Sequence, residues 1–391
     1  MRLILRIKTF PPALLPYWLS AFACALVLLA SANLAHAEKT PFDLSQLKAP
    51  DGFHISVFAD DIDGARMLIF SPGGVLLASE SGEGKVVALP DPRNSGKAER
   101  TVDVLSGLNE PHGLAFYQGK LYVAENDKVR SYEWDEKNLR ATNPRKLADL
   151  PTGGGHSTRS ILFHGGKMYI SAGSSCNVCI EKDPRRATVM EFNPDGSGQK
   201  IFAKGLRNAV GVALNPKTDT VWVTVNGRDW LGDDLPPETI YDLGKNGGDA
   251  GWPYCYGDRV PDSNFTKPGD DRCNSVLEPK VQMQAHSAPL GLAFYEGTQF
   301  PAEYQNNIFL AFHGSWNRNI PTGYKVVRVR LDANGQPQGG AQDFITGFVA
   351  PGETKKGRWM GRPVGVVFGS DGSMYLSDDA ANAVYRITYG K

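Results

Sequence analysis

The sequence predicts an all-β fold, a six-bladed β-propeller closed by strands from both termini, and three observations carry that expectation. First, an apolar strand, a turn and a second apolar strand recur six times. The copies begin Arg66-Met-Leu-Ile-Phe70, His112-Gly-Leu-Ala-Phe116, Arg159-Ser-Ile-Leu-Phe163, Val210-Gly-Val-Ala-Leu214, Leu290-Gly-Leu-Ala-Phe294 and Val364-Gly-Val-Val-Phe368. Second, most copies run on through a Gly-containing turn into a partner strand such as Leu121-Tyr-Val-Ala124, Met168-Tyr-Ile-Ser171 or Met374-Tyr-Leu-Ser377. Third, 43 Gly and 26 Pro in 391 residues suit a chain made of short strands and tight turns. Units of strand and turn at this period stack around an axis, so equivalent positions of every repeat meet at one funnel.

Taken from its start, the chain opens with Arg2, Arg6 and Lys8, an apolar stretch reaching about Ala30, and Ala35-His36-Ala37. Small residues at Ala35 and Ala37 fit signal-peptidase cleavage before Glu38, so residues 1–37 are expected to be a bacterial export signal. Cys24 lacks the flanking residues of a lipoprotein site. After cleavage the mature chain is expected to be periplasmic or secreted, with no stable membrane insertion. Residues 38–391 are then one propeller domain. Residues 38–50 read as an extended lead-in, and the alternating Gly52-Phe-His-Ile-Ser-Val-Phe58 reads as a strand. It lies too far upstream for the first repeat and is expected to pair with Val384-Tyr-Arg-Ile-Thr388 in the last blade. That pairing closes the ring and removes an exposed sheet edge.

The early repeats recur at roughly 45–50 residues, the size of a four-stranded blade, and the fourth and fifth at about 75–80. The excess is an insertion over about residues 228–284, rich in Gly, Asp, Pro and Asn. Long ordered insertions in compact folds often carry function. The formal net charge is zero, which removes any electrostatic case for nucleic acid or an anionic membrane surface. Without the leader the cysteines are Cys176, Cys179, Cys255 and Cys273, and an even count in an exported chain favours disulfides. Three pairings are possible; 176–179 with 255–273 is favoured because both close local loops. A redox or zinc Cys-x-x-Cys would call for a thioredoxin-like βαβ pattern or a second ligand pair, and neither accompanies it.

The loops that precede the first strand of each repeat contain Asn109-Glu-Pro-His112, Gly155-His-Ser-Thr-Arg159, Leu206-Arg-Asn208, His286-Ser-Ala-Pro289 and Gly361-Arg-Pro363. Three His, three Arg and two Asn are thereby expected on one face. Strand structure needs none of them. The combination suits a ligand with several anionic groups and a histidine available as base.

In order along the chain, Gly154-Gly-His-Ser-Thr-Arg159, Gly205-Leu-Arg-Asn208, Asn246-Gly-Gly-Asp-Ala-Gly-Trp-Pro253 and Gly361-Arg-Pro-Val-Gly365 resemble the soluble PQQ-dependent aldose sugar dehydrogenases of the glucose/sorbosone dehydrogenase family. Ser174-Ser-Cys-Asn-Val-Cys179 and His313-Gly-Ser-Trp-Asn-Arg318 are similar to its sorbosone-type subgroup. The resemblance implies a six-bladed propeller with pyrroloquinoline quinone (PQQ) over the funnel beside a calcium ion. It implies that His156 is the general base, and that Arg207 stabilises charge growing on the quinone oxygen. Asn208, Arg362 and, in place of a family lysine, Arg318 would join Arg207 in binding the cofactor. It also places the calcium on the backbone carbonyls of Gly227 and Arg228, a donor type that calcium accepts. His112 and His286 are candidates for the substrate side. An aldose or sugar aldehyde is the implied substrate, and a quinone or c-type cytochrome the electron acceptor.

The chain departs from the glucose-oxidising members at the base's carboxylate partner, where the nearest match is Ser174, and at a second cofactor arginine, where Val364 stands. A calcium-dependent lactonase on the same fold and a non-catalytic binding module are the competing readings. The Arg and His at the mouth suit an anionic cofactor better than a lactonase's central metal.

Overall fold

The computed structural model describes residues 43–350, 352–354 and 358–390, so the export-signal expectation lies outside the described residues. Within them the chain is almost entirely strand and turn, with three short 3-10 segments. Six antiparallel sheets stand around one axis as blades. The expected six-bladed propeller is the observed fold.

Blade 1 holds the strands Ala65–Phe70, Leu76–Glu80, Lys85–Leu89 and Val102–Leu105; blade 2 holds Gly113–Tyr117, Lys120–Ala124, Lys128–Asp135 and Arg140–Asp149. Blade 3 is Ile161–His164, Lys167–Ala172, Thr188–Phe192 and Lys200–Lys204, and blade 4 is Ala209–Asn215, Thr220–Val225, Glu238–Asp242 and Val281–Met283. Blade 5 runs Pro289–Phe294, Ile308–Phe312, Lys325–Val329 and Gln342–Ile345. Blade 6 has three strands of its own, Pro363–Phe368, Met374–Asp378 and Ala383–Tyr389, and takes its fourth, Phe53–Ala59, from the other end of the domain. Phe53 pairs with Tyr389 and Val57 with Tyr385 in antiparallel register. This is the closure that the alternating pattern at residues 52–58 predicts.

The recurring Gly of the repeat has a steric reason. A Cβ on Gly113, Gly211, Gly291 or Gly365 would lie 2.5, 2.2, 2.6 or 2.7 Å from a carbonyl oxygen in or just before the next blade's inner strand, at Arg159, Leu290, Val364 and Arg66 respectively. Only a residue without a side chain lets neighbouring inner strands approach this closely. Hydroxyls join the same interfaces: Ser79 Oγ donates to His112 O at 2.8 Å and Thr224 Oγ1 to Leu290 O at 2.9 Å. Ser160 and Ser377 bond likewise to Val210 O and Arg66 O. Val210, Leu290 and Val364 form a small apolar cluster of their own, while the larger cores lie between blades.

The insertion differs from the single block expected at about 228–284. The strand Glu238–Asp242 runs through it as the third strand of blade 4, where Ile240 and Tyr241 bury apolar surface. Two excursions result: residues 226–237, and residues 243–280. The second lends Gly248–Asp249 to the edge of blade 3 as a parallel addition and forms the hairpin Cys255–Tyr256 with Val260–Pro261. The disulfides are Cys176–Cys179 and Cys255–Cys273, the favoured pairing.

Candidate active site

His156 is held by two arginines that have other work than ligand binding. Arg159, fully buried, donates to the carbonyls of His156 at 3.0 Å, Thr158 at 2.7 Å and Pro151 at 2.6 Å. Arg186 donates to His156 O and Gly173 O, both at 3.1 Å. Backbone carbonyls buried in a loop need donors, and these guanidinium groups supply them. Gly173 makes room beside the ring, since a Cβ there would lie 2.6 Å from His156 Cβ.

The ring's orientation settles its tautomer. His156 Nδ1 lies 2.9 Å from Ser174 O and 3.0 Å from Ser174 Oγ. The hydroxyl proton of Ser174 goes to Cys176 O at 2.6 Å, so both Ser174 oxygens act as acceptors toward the imidazole. Nδ1 therefore carries the proton and Nε2 keeps its lone pair. Burial, reinforced by the Arg207, Arg186 and Arg159 charges, lowers the imidazole pKa to about 4 against the pull of its hydrogen bond to Ser174. The group is neutral over the whole physiological range, the state a general base requires.

A cavity with about 510 Å³ of empty space brings together His156, Arg207, Asn208, Gly227, Asp229 and His286, with Trp316 and Asn317 at its side. Arg207 donates through Nε to Asn177 O at 2.8 Å, and through Nη2 to Asn177 Oδ1 and Asp229 Oδ2, both at 3.0 Å. With Nη1 donating to Asn226 O at 3.3 Å, one of its five N–H groups has no partner among the described residues. Asp229 completes the mesh by accepting from Asn317 Nδ2 at 2.7 Å. Behind it Glu238, buried, accepts from Gly227 N at 2.6 Å and Ala288 N at 3.1 Å. Burial raises its carboxyl to about 7 in spite of those two donors.

The other expected residues are distributed differently. His286 lies in the cavity, but Nε2 faces Gly232 O at 2.8 Å and Nδ1 faces the Asn317 amide at 3.3 Å. Both ring nitrogens are engaged with neighbouring groups of the protein. His112 is buried and lines a separate cavity with Arg66, Glu110, Ser157 and Thr158. Burial drops its pKa to about 3. Arg318 stands outside the His156 cavity, bonded to Asp233 O, Ala285 O and Asp234. Arg362 also stands outside that lining; it donates to His313 O at 3.2 Å and Gly314 O at 3.3 Å, with its guanidinium 4.8 Å over Trp359.

Beside Arg362 lies a group that the sequence reading missed. Asp379 accepts from Arg66 Nη1 at 2.6 Å and faces His313 Nε2 at 2.9 Å. Burial would raise the Asp379 carboxyl, but His313 and Arg66 outweigh it and hold it at about 2. Asn177 and Asn317 were missed as well. Asn177 lies inside the Cys-x-x-Cys, and Asn317 in the segment 313–318, so the only available signal was adjacency to a conspicuous motif. Cys176, Cys179 and Glu181 bring three ligand-type atoms together, but both sulfurs belong to a disulfide.

The TrAA12-like family matches residues 47–236 and 245–390. A Borreliella burgdorferi protein described as uncharacterised is 29% identical over 387 residues, covering 94% of this chain and 96% of that one. A pyrroloquinoline quinone-dependent pyranose dehydrogenase of Coprinopsis cinerea is 25% identical over 88% of this chain, which spans 54% of that enzyme's length. The holo form of the pyranose dehydrogenase PQQ domain from Coprinopsis cinerea shares the fold with a TM-score of 0.77 at 23% identity, covering 89% of this chain and 98% of that domain.

Proposed function

The chain belongs to the TrAA12-like family, and from that premise we propose that it is a PQQ- and calcium-dependent dehydrogenase of an aldose sugar or sugar aldehyde. The observation that carries the proposal is His156, whose Nδ1 faces two acceptors on Ser174 while Nε2 stays available in one cavity with Arg207 and Asn208.

The residues present fit the group. PQQ carries three carboxylates, for which guanidinium forks and amide donors are suitable partners. Arg207 has an N–H to offer, Asn208 lines the same cavity, and Arg362 and Arg318 are the further candidates for contact. For calcium, neither Gly227 O nor Arg228 O accepts a hydrogen bond among the described residues, and Asp229 and Glu238 place carboxylates nearby. Bound PQQ would supply the acceptor for a hydride from the substrate carbon.

The chain's own residues do the rest. His156 Nε2 takes the proton of the substrate hydroxyl, which eases departure of the hydride from the same carbon. Ser174 holds the ring so that Nε2, not Nδ1, faces the substrate. Arg207, immobilised by Asn177 and Asp229, places a positive charge where negative charge grows, with no reorganisation needed at that moment. Export fits the two disulfides, which persist in oxidising compartments. A periplasmic location with a quinone or c-type cytochrome as acceptor follows on this reading.

The test is dye-linked dehydrogenase activity of the mature protein against aldoses and sorbosone, with and without PQQ and calcium. Activity that needs both additions and disappears in His156→Gln supports the proposal. Failure to bind PQQ overturns it and favours a lactonase or a binding module.

A further inference from the structure

The connection at residues 173–187, between the second and third strands of blade 3, has no regular structure, yet it supports both the base and Arg207. Ser174 Oγ, which faces His156, donates to Cys176 O at 2.6 Å, and Ser174 N donates to Arg207 O at 2.7 Å. Asn177 makes four bonds across to blade 4. Its backbone oxygen accepts from Arg207 Nε at 2.8 Å, and its Oδ1 accepts from Arg207 Nη2 at 3.0 Å and Asp229 N at 2.7 Å. Its Nδ2 donates to Asp229 O at 3.2 Å. The Cys176–Cys179 disulfide closes the turn that presents this side chain, and Glu181 anchors the turn's start through Ser175 N at 2.6 Å and Ser175 Oγ at 2.8 Å.

A side chain on an irregular loop holds a fixed pose only if the loop has few alternatives, and a short covalent loop removes them. We infer that Asn177, clasped by the Cys176–Cys179 disulfide, is a positioning residue that fixes Arg207 and the Asp229 segment in the site. Its consequence for the cofactor rests on the reading above; the clasp itself does not. Cys176 and Cys179 are half-buried, whereas Cys255 and Cys273 are 3% and 2% exposed. A reductant therefore reaches the clasp first. A dithiol that delivers two electrons and two protons leaves Cys176 and Cys179 as thiols and itself becomes a disulfide.

The experiment compares the wild-type full chain with Asn177→Ala, Asn177→Asp and the double variant Cys176→Ser/Cys179→Ser, all with thermal midpoints measured as a folding control. In the cofactor-free proteins, amide hydrogen exchange over residues 226–234 is expected to rise about tenfold in Asn177→Ala and in the double variant, with the inner strands unchanged. Brief dithiol treatment of the wild type gives the same pattern. PQQ titration, followed by tryptophan fluorescence, is expected to show about tenfold weaker binding in both. Asn177→Asp, which keeps the acceptor for Arg207 and for Asp229 N but replaces the Nδ2 donor to Asp229 O with an oxygen, restores part of that affinity. Wild-type exchange in both disrupted proteins overturns the inference, as does an affinity loss that Asn177→Asp leaves unrepaired. If the wild type binds no PQQ, the functional reading fails, and the exchange pattern alone upholds or overturns the clasp.

Discussion

Ser174 faces His156 Nδ1 with two oxygens at once, the carbonyl at 2.9 Å and the hydroxyl at 3.0 Å. A neutral residue thus orients the imidazole where a carboxylate would also have charged its surroundings. Orientation survives without the carboxylate; stabilisation of the imidazolium does not.

A pH profile separates these two effects. The neutral ring is the acting form and its pKa sits at about 4, so kcat/KM should hold steady down to about that pH and fall below it. Ser174→Asp places a carboxylate against Nδ1, favours the imidazolium and moves the acid limb upward by about 1–2 pH units. A limb that stays in place in the variant removes His156 as the titrating base.

His112 makes stability depend on pH. Its folded pKa of about 3 lies below the ordinary 6.5, because burial disfavours the charged ring. Its contribution is therefore present in full above 6.5 and declines as pH falls toward 3, at about 1.4 kcal/mol per pH unit. Asp378, raised to about 6 by burial, acts in the opposite sense, so the useful quantity is a difference. The stability gap between wild type and His112→Gln, from urea unfolding, should shrink from pH 6.5 to 4. A constant gap would count against this account.

The Arg228–Asp262 pair joins Nη1 to Oδ2 at 2.5 Å, with side chains only 7% and 3% exposed. Removing one partner strands a buried charge, so Arg228→Ala should cost about 3–5 kcal/mol. Arg228→Met with Asp262→Leu should cost much less, since the pair's desolvation penalty disappears with it. Equal losses in the single and double variants would show that packing, not charge, governs the site.

Phe53 anchors the closing strand of the ring. Phe53 packs edge-on against Phe300, Phe344 and Tyr389 at 4.8, 4.9 and 4.9 Å between ring centres. Phe53→Ala should destabilise the protein by about 3–5 kcal/mol, with increased amide exchange in Ala383–Tyr389, the strand it pairs with. Unchanged exchange there would mean that blade 6 stands without its borrowed strand.

What the sequence determined by itself was whatever repeats or lies close along the chain. The six strand copies, their glycines, the terminal strand that completes blade 6 and the two local disulfides are all set by periodicity or short spacing. That His156 and Arg207 share one cavity was also legible, because the loops that carry them recur at one place in the repeat. The tertiary structure decided which of those loop residues share a cavity and what each is bonded to. Asn177 meets Asp229 from another blade, and Arg66 meets Asp379 across 313 residues. His286 shares the cavity with His156, and the structure shows which groups its two nitrogens meet. Such contacts join irregular loops whose relative height is fixed only when the ring closes, and hydrogen bonds between loops leave no period in a sequence.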